Sequence, residues 1–141
     1  MPHPESRVRI ILRWVLAIFY LFAGYMHLAK PAGFLAITPD WVPAPEMVVA
    51  LTGLAELAGG VGLLTPRSVV SWARPAAGVG LALYALCVWP ANINHALNDI
   101  AVGGQHLSWW YHGPRLAFQP VFIGLALWVG GVWPWRERST V

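Results

Sequence analysis

Glu56 has the clearest chemical capacity in this 141-residue chain: it is a carboxyl group near the middle of an apolar run, able to hold or pass a proton. If the run crosses a bilayer, a carboxylate there costs about 2.5–3.5 kcal/mol on insertion scales, so neighbouring segments must compensate it. Gly53, Glu56 and Gly60 fall at i, i+3 and i+7, which directs the carboxyl into a helical assembly along a small-residue face. Tyr20, Gly24 and His27 share a stripe on an earlier apolar segment, with Arg13 two heptads before His27. Asn92 and His95 share a face beyond Pro90, and Arg115 and Gln119 stand one turn apart on a later segment. His27, Glu56, Asn92, Arg115 and Gln119 therefore form a candidate polar site, with Tyr20, His95 and Arg13 as secondary candidates.

At about 1.5 Å per helical residue, His27, Asn92 and Arg115 lie near one membrane boundary, Gln119 a turn deeper and Glu56 deeper still. His27 and Gln119 can reach Glu56 directly or through water, and Arg13, from the opposite side, is a rival partner. Two readings compete at Glu56: a proton-active group, or a neutral acid hydrogen-bonded across helices as glue. Arg115 is either part of the site or a boundary arginine snorkelling to the interface. His27, Glu56 and His95 carry metal-ligating atoms. They are scattered singly over three segments with no His-x-x-x-His or Glu-x-x-His pair, so no metal is expected. Cys87 is the single cysteine, so the chain by itself holds neither an internal disulfide nor a Cys-x-x-Cys relay. His106 and His112, beside Trp109 to Tyr111, read as interfacial or lid residues.

The elements that must position these groups are membrane spans. Hydrophobic residues make up 57% of the chain and charged residues 11%, against about a quarter charged in soluble domains. The pattern predicts an all-α, single-domain, four-helix bundle with spans over about 10–29, 46–64, 75–95 and 114–133, each near the ~20 residues needed to cross the hydrocarbon core. The first span has too long an apolar core for a signal peptide and lacks a clear small-x-small cleavage site, so it is read as retained. The segment from Pro31 to Pro45, with Pro39, Pro43 and Asp40-Trp41, reads as a loop.

Arg7, Arg9, Arg13, Arg67, Arg74, Arg136 and Arg138 fall on one side of this topology, and only Lys30 and Arg115 on the other. The positive-inside rule then places both termini in the cytoplasm. Trp14, Trp72, Trp133 and Trp135 mark the inner boundary, and Trp41, Trp89, Trp109 and Trp110 the outer one. The net charge of +3 comes from residues at span ends rather than a basic stripe, so no nucleic-acid partner is expected. Small residues four apart, Ala55-Gly59, Ala58-Gly62, Ala76-Gly80 and Gly78-Ala82, are the expected packing faces of the second and third spans.

Five segments carry a family resemblance: Phe22-Ala23-Gly24-Tyr25-Met26-His27, Pro39-Asp40-Trp41-Val42-Pro43, Gly53-Leu54-Ala55-Glu56, Trp89-Pro90-Ala91-Asn92-Ile93, and Arg115 with Gln119. In this order and spacing, over roughly Arg13 to Trp133, the chain resembles the DoxX-like family of small bacterial integral membrane proteins. The resemblance implies a bacterial inner-membrane location and raises a quinone-linked or redox-accessory role. The thiosulfate chemistry of some relatives is not carried over, because the redox cysteine pair is absent. Three readings stand: a quinone-binding redox accessory working with a partner protein, a small-molecule carrier that would need a homodimer, or a membrane scaffold. The residues leave open whether the chain is an enzyme.

Overall fold

Ser6 starts the first helix: its hydroxyl accepts a hydrogen bond from the backbone N–H of Arg9, and α1 runs Arg7–Ala29 until Lys30-Pro31 ends it. The computed structural model describes residues 5–133. Within them α2 spans Ala32–Ile37, α3 Pro45–Leu64, α4 Ala73–Leu97 and α5 Trp109–Gly130. Pro45 occupies the first turn of α3, where its missing N–H has no helical partner to lose. Thr65 closes α3, its hydroxyl donating to the Val61 carbonyl at 2.9 Å. Gly131 closes α5 in the left-handed region at φ 82°, a backbone position that favours glycine.

Three helices, α1, α3 and α4, are long and apolar enough to cross a membrane. The fourth expected span is helical but starts earlier than Pro114 and ends at Gly130, before Trp133. Its first turns carry Trp109 to His112, Arg115 and Gln119, which lower its hydropathy. The expected loop after Pro31 also differs, because it contains α2. The apolar run Ala32 to Ile37 precedes Pro39 and makes a turn and a half before proline stops it. Trp135, Arg136 and Arg138 lie outside the described residues.

The helices pack in the order α1–α3–α4–α5, with a lighter contact closing α5 on α1. Glycines set the two closest seams. A Cβ on Gly24 would lie 2.6 Å from the Gly53 carbonyl oxygen across α1–α3, and one on Gly78 would lie 2.9 Å from the Gly130 Cα across α4–α5. In lipid, where helix association draws on dispersion contacts between backbones, such approaches are the packing force. Only half of the expected small-residue pairing is realised. Gly59 meets Leu81 and Gly62 meets Ala77, whereas Ala55, Ala58, Ala76 and Gly80 face outward. The inward stripe of α3 follows Gly53, Glu56 and Gly60 instead.

One half of the assembly is solid: Leu16, Ala17, Leu63, Leu81, Ala126 and Val129 belong to its close-packed core. At the end of this half Arg9, Arg13 and Arg74 gather. Arg13 Nε donates to the Val129 carbonyl at 3.0 Å, Arg9 Nε to that of Trp128 at 2.9 Å, and Arg74 Nη2 to that of Thr65 at 3.2 Å. The start of α1 and the end of α5 therefore share one end. Glu5 sits against Arg13 there, and that guanidinium, by hydrogen bonding first and charge second, holds the Glu5 carboxyl below its ordinary value of 4.5. A lowered folded-state value means stability present above about pH 4.5 and lost as pH falls through the folded value. Glu5→Gln is thus expected to lower the thermal midpoint at pH 7, the two proteins converging in acid. Midpoints of both across pH check this.

Candidate functional site

Away from that solid half the helices enclose a cavity of about 350 Å³, and each long helix contributes a stripe to it. From α1 come Tyr20, Ala23 and His27; from α3 Val49, Thr52 and Glu56; from α4 Tyr84, Val88 and Asn92; from α5 Arg115, Gln119 and Phe122. These sets are spaced by three or four residues, as one face of a helix requires. All five primary candidates, His27, Glu56, Asn92, Arg115 and Gln119, line the same cavity, as does Tyr20.

Glu56 is 3% exposed and His27 7%. His27 Nδ1 lies 2.6 Å from Glu56 Oε2, without the alignment of a full hydrogen bond. The seam at Gly24 and Gly53 explains the meeting, because each glycine lies one turn before its ionisable residue. Close backbones bring the two side chains together, and a Cβ on Gly53 would strike the His27 Cβ at 2.7 Å. Tyr84 lines the cavity with Glu56, and Tyr20 packs edge-on to Tyr84 at 5.9 Å between ring centroids.

The other expected contacts resolve differently. Gln119 does not reach Glu56; its Nε2 donates to the Ala85 carbonyl at 2.7 Å, tying α5 to α4. Arg115 turns inward and donates from Nη1 to His95 Nδ1 at 3.1 Å, while its guanidinium lies 5.5 Å from the Tyr111 ring centroid. Accepting at Nδ1 makes His95 a neutral ring with its proton on Nε2. Arg13 is not a partner of Glu56, because it is committed to Glu5 and Val129 at the far end.

Three features escaped the sequence reading. Tyr84 lies two turns before Asn92 on the same stripe, so a phenol inside an apolar run was the available signal. His112 is 3% exposed and packs edge-on to His95 at 4.7 Å, rather than lying in a surface loop. His106 is exposed and pairs with Asp99 at 3.1 Å. The third is α2, which covers the His27 end: the Phe34 ring centroid is 3.6 Å from that of His27, and Asn94 Nδ2 donates to the Ile37 carbonyl at 3.0 Å. Nothing in the local residue pattern signals that covering role. Several lining residues, Phe19, Trp41, Cys87 and Pro90, are also exposed, so the cavity borders the surface of the molecule.

Among the described residues no three His, Cys, Asp or Glu side chains converge as a metal set would. The arrangement offers a guest apolar walls, a His–Glu pair on the α1–α3 side, and a guanidinium with two amides on the α4–α5 side. Residues 16–130 match the model of one protein family, described as a domain of unknown function (DUF8561). No curated protein and no solved structure matches the chain.

Proposed function

We propose, from the premise that the chain belongs to the DUF8561 family, that it is a four-helix membrane protein binding a quinone-class molecule as a redox-accessory subunit. The DoxX-like resemblance points the same way. Its setting would be a bacterial inner membrane with both termini cytoplasmic. The outward apolar faces, including Ile11, Ile18, Phe22, Leu51 and Leu54, support lipid as solvent. Arg9, Arg13 and Arg74 at one end support the orientation.

One observation carries the ligand reading: the buried side chains of His27 and Glu56, with Nδ1 2.6 Å from Oε2, border an apolar cavity. Polar groups at the wall of an apolar cavity offer a guest its hydrogen bonds, each contributing about 0.5–1.5 kcal/mol. The volume, about 350 Å³, falls in the usual small-molecule range of about 300–1,000 Å³, and the walls are mostly apolar. Arg115 and Asn92 would hold one carbonyl of a quinone ring and the His27–Glu56 pair the other. A bound quinone supplies two-electron, two-proton chemistry. The chain itself holds a proton between His27 and Glu56, excludes water with α2, and orients the ring between Tyr84 and Phe122.

Protein extracted in mild detergent should yield quinone on solvent extraction, read by mass spectrometry. Arg115→Met should retain about tenfold less, the loss of one charge-assisted hydrogen bond of roughly 1.5 kcal/mol. A wild-type extract free of quinone, together with no binding of added quinone, would sink the proposal.

A further inference from the structure

We propose that Arg115 makes the cavity selective for an acidic guest: within the quinone class, a ring whose hydroxyl is ionised at neutral pH, in preference to a neutral ring of the same shape. This rests on the reading of the cavity as a quinone site and adds the charge state of its occupant.

Arg115 lines the cavity, and both its hydrogen bond and its ring contact are with neutral groups. Nη1 donates to His95 Nδ1 at 3.1 Å, and the Tyr111 ring centroid lies 5.5 Å from the guanidinium carbon. An imidazole that accepts at Nδ1 carries no charge, and an aromatic face offers a cation only its quadrupole. His95 is 2% exposed, so the guanidinium is tied to a buried anchor. Its position is fixed while its charge stays unbalanced.

Among the described residues no carboxylate lies at ion-pair distance from Arg115. Glu5 is at the far end of the bundle with Arg13, and Asp99 is exposed and pairs with His106 at 3.1 Å. Asp40 and Glu46 are exposed. The acid in the lining, Glu56, lies 2.6 Å from His27 on the α1–α3 side, and with one proton between them that pair is neutral as a unit. A cation facing mostly apolar walls attracts an anion strongly, because little solvent screens it.

A hydroxyquinone meets this demand. Its hydroxyl, conjugated with the carbonyl across the ring, is a vinylogous carboxylic acid and is ionised at neutral pH. The ionised oxygen and the carbonyl next to it stand side by side, which suits the parallel N–H donors of a guanidinium fork. Asn92, 8% exposed and in the same lining, adds an amide donor.

The test uses the full chain in neutral detergent at neutral pH. Binding of lawsone, an acidic hydroxynaphthoquinone, is compared by equilibrium dialysis with that of its neutral methyl ether, uptake by protein-free micelles being subtracted. Wild type should bind lawsone about tenfold more tightly than the ether, the difference between a charge-assisted and a neutral hydrogen bond. Arg115→Gln, which can still donate a hydrogen bond, should bring the two affinities to within about twofold of each other. Arg115→Lys keeps the charge without the fork and should fall between. Each ratio compares two ligands on one protein, so partial loss of folded material cancels; if Arg115→Gln does not fold, the wild-type ratio and the lysine variant decide. Equal binding of both ligands by wild type, or a tenfold preference that survives in Arg115→Gln, overturns the inference and leaves the quinone reading standing. Binding of neither ligand by wild type overturns both.

Discussion

Removing His27 while Glu56 stays should destabilise the protein by about 1–3 kcal/mol, the range for leaving a buried polar group without its partner. The Glu56 carboxyl is 3% exposed, and His27→Ala removes the group that lies 2.6 Å from its Oε2. Replacing both, His27→Leu with Glu56→Met, should recover most of that loss, because two apolar side chains of similar volume ask for no compensation. A double-mutant cycle on unfolding in mixed micelles measures the coupling. Coupling near zero would mean that the 2.6 Å approach contributes nothing to the fold. Glu56→Gln separates glue from proton chemistry: an amide can still hydrogen-bond across helices but cannot hold the shared proton. The proposed role therefore expects a folded protein without quinone-dependent activity, whereas an adhesive role expects activity unchanged.

Substitution at the α4–α5 seam should be nearly as damaging, and for a steric reason. A Cβ on Gly130 would lie 2.7 Å from the Cα of Gly78 and 3.2 Å from the Arg74 carbonyl oxygen. Backbone cannot rotate out of the way as a side chain can. Gly130→Val is expected to push the helices apart at a cost of about 1–3 kcal/mol or more. Gly80→Val is the matched control, since nothing lies within 4 Å of a Cβ there. It should leave stability within roughly 0.5 kcal/mol. The same seam carries the Gln119–Ala85 and Arg115–His95 hydrogen bonds. Gly130→Val should therefore also reduce ligand retention, although Gly130 borders no part of the cavity. Equal unfolding midpoints for Gly130→Val and Gly80→Val would show that the seam does not govern packing.

The boundaries of α1, α3 and α4 were legible because their signals are local. Pro31, Pro45, Thr65-Pro66 and the apolar runs between them act within a turn or two, and the structure follows them closely. The inward stripe of Gly53, Glu56 and Gly60 was legible too, since helical periodicity fixes which residues share a face. Small-residue spacing alone misled at Ala76 and Gly80. A four-residue repeat occurs on every face of a glycine- and alanine-rich helix, and nothing local says which face meets a neighbour.

By itself, then, the sequence determined the four long helical segments, though not α2, and which polar residues were eligible to meet. Tertiary structure decided the partners: His27 with Glu56, Arg115 with His95, Gln119 with a backbone carbonyl, Arg13 with Glu5. It also laid α2 over the His27 end. The reason is register. Sliding one helix by a single turn, about 5.4 Å, changes every cross-helix pair while preserving each helix's own pattern, and that offset is set by close backbone contacts at Gly24–Gly53 and Gly78–Gly130.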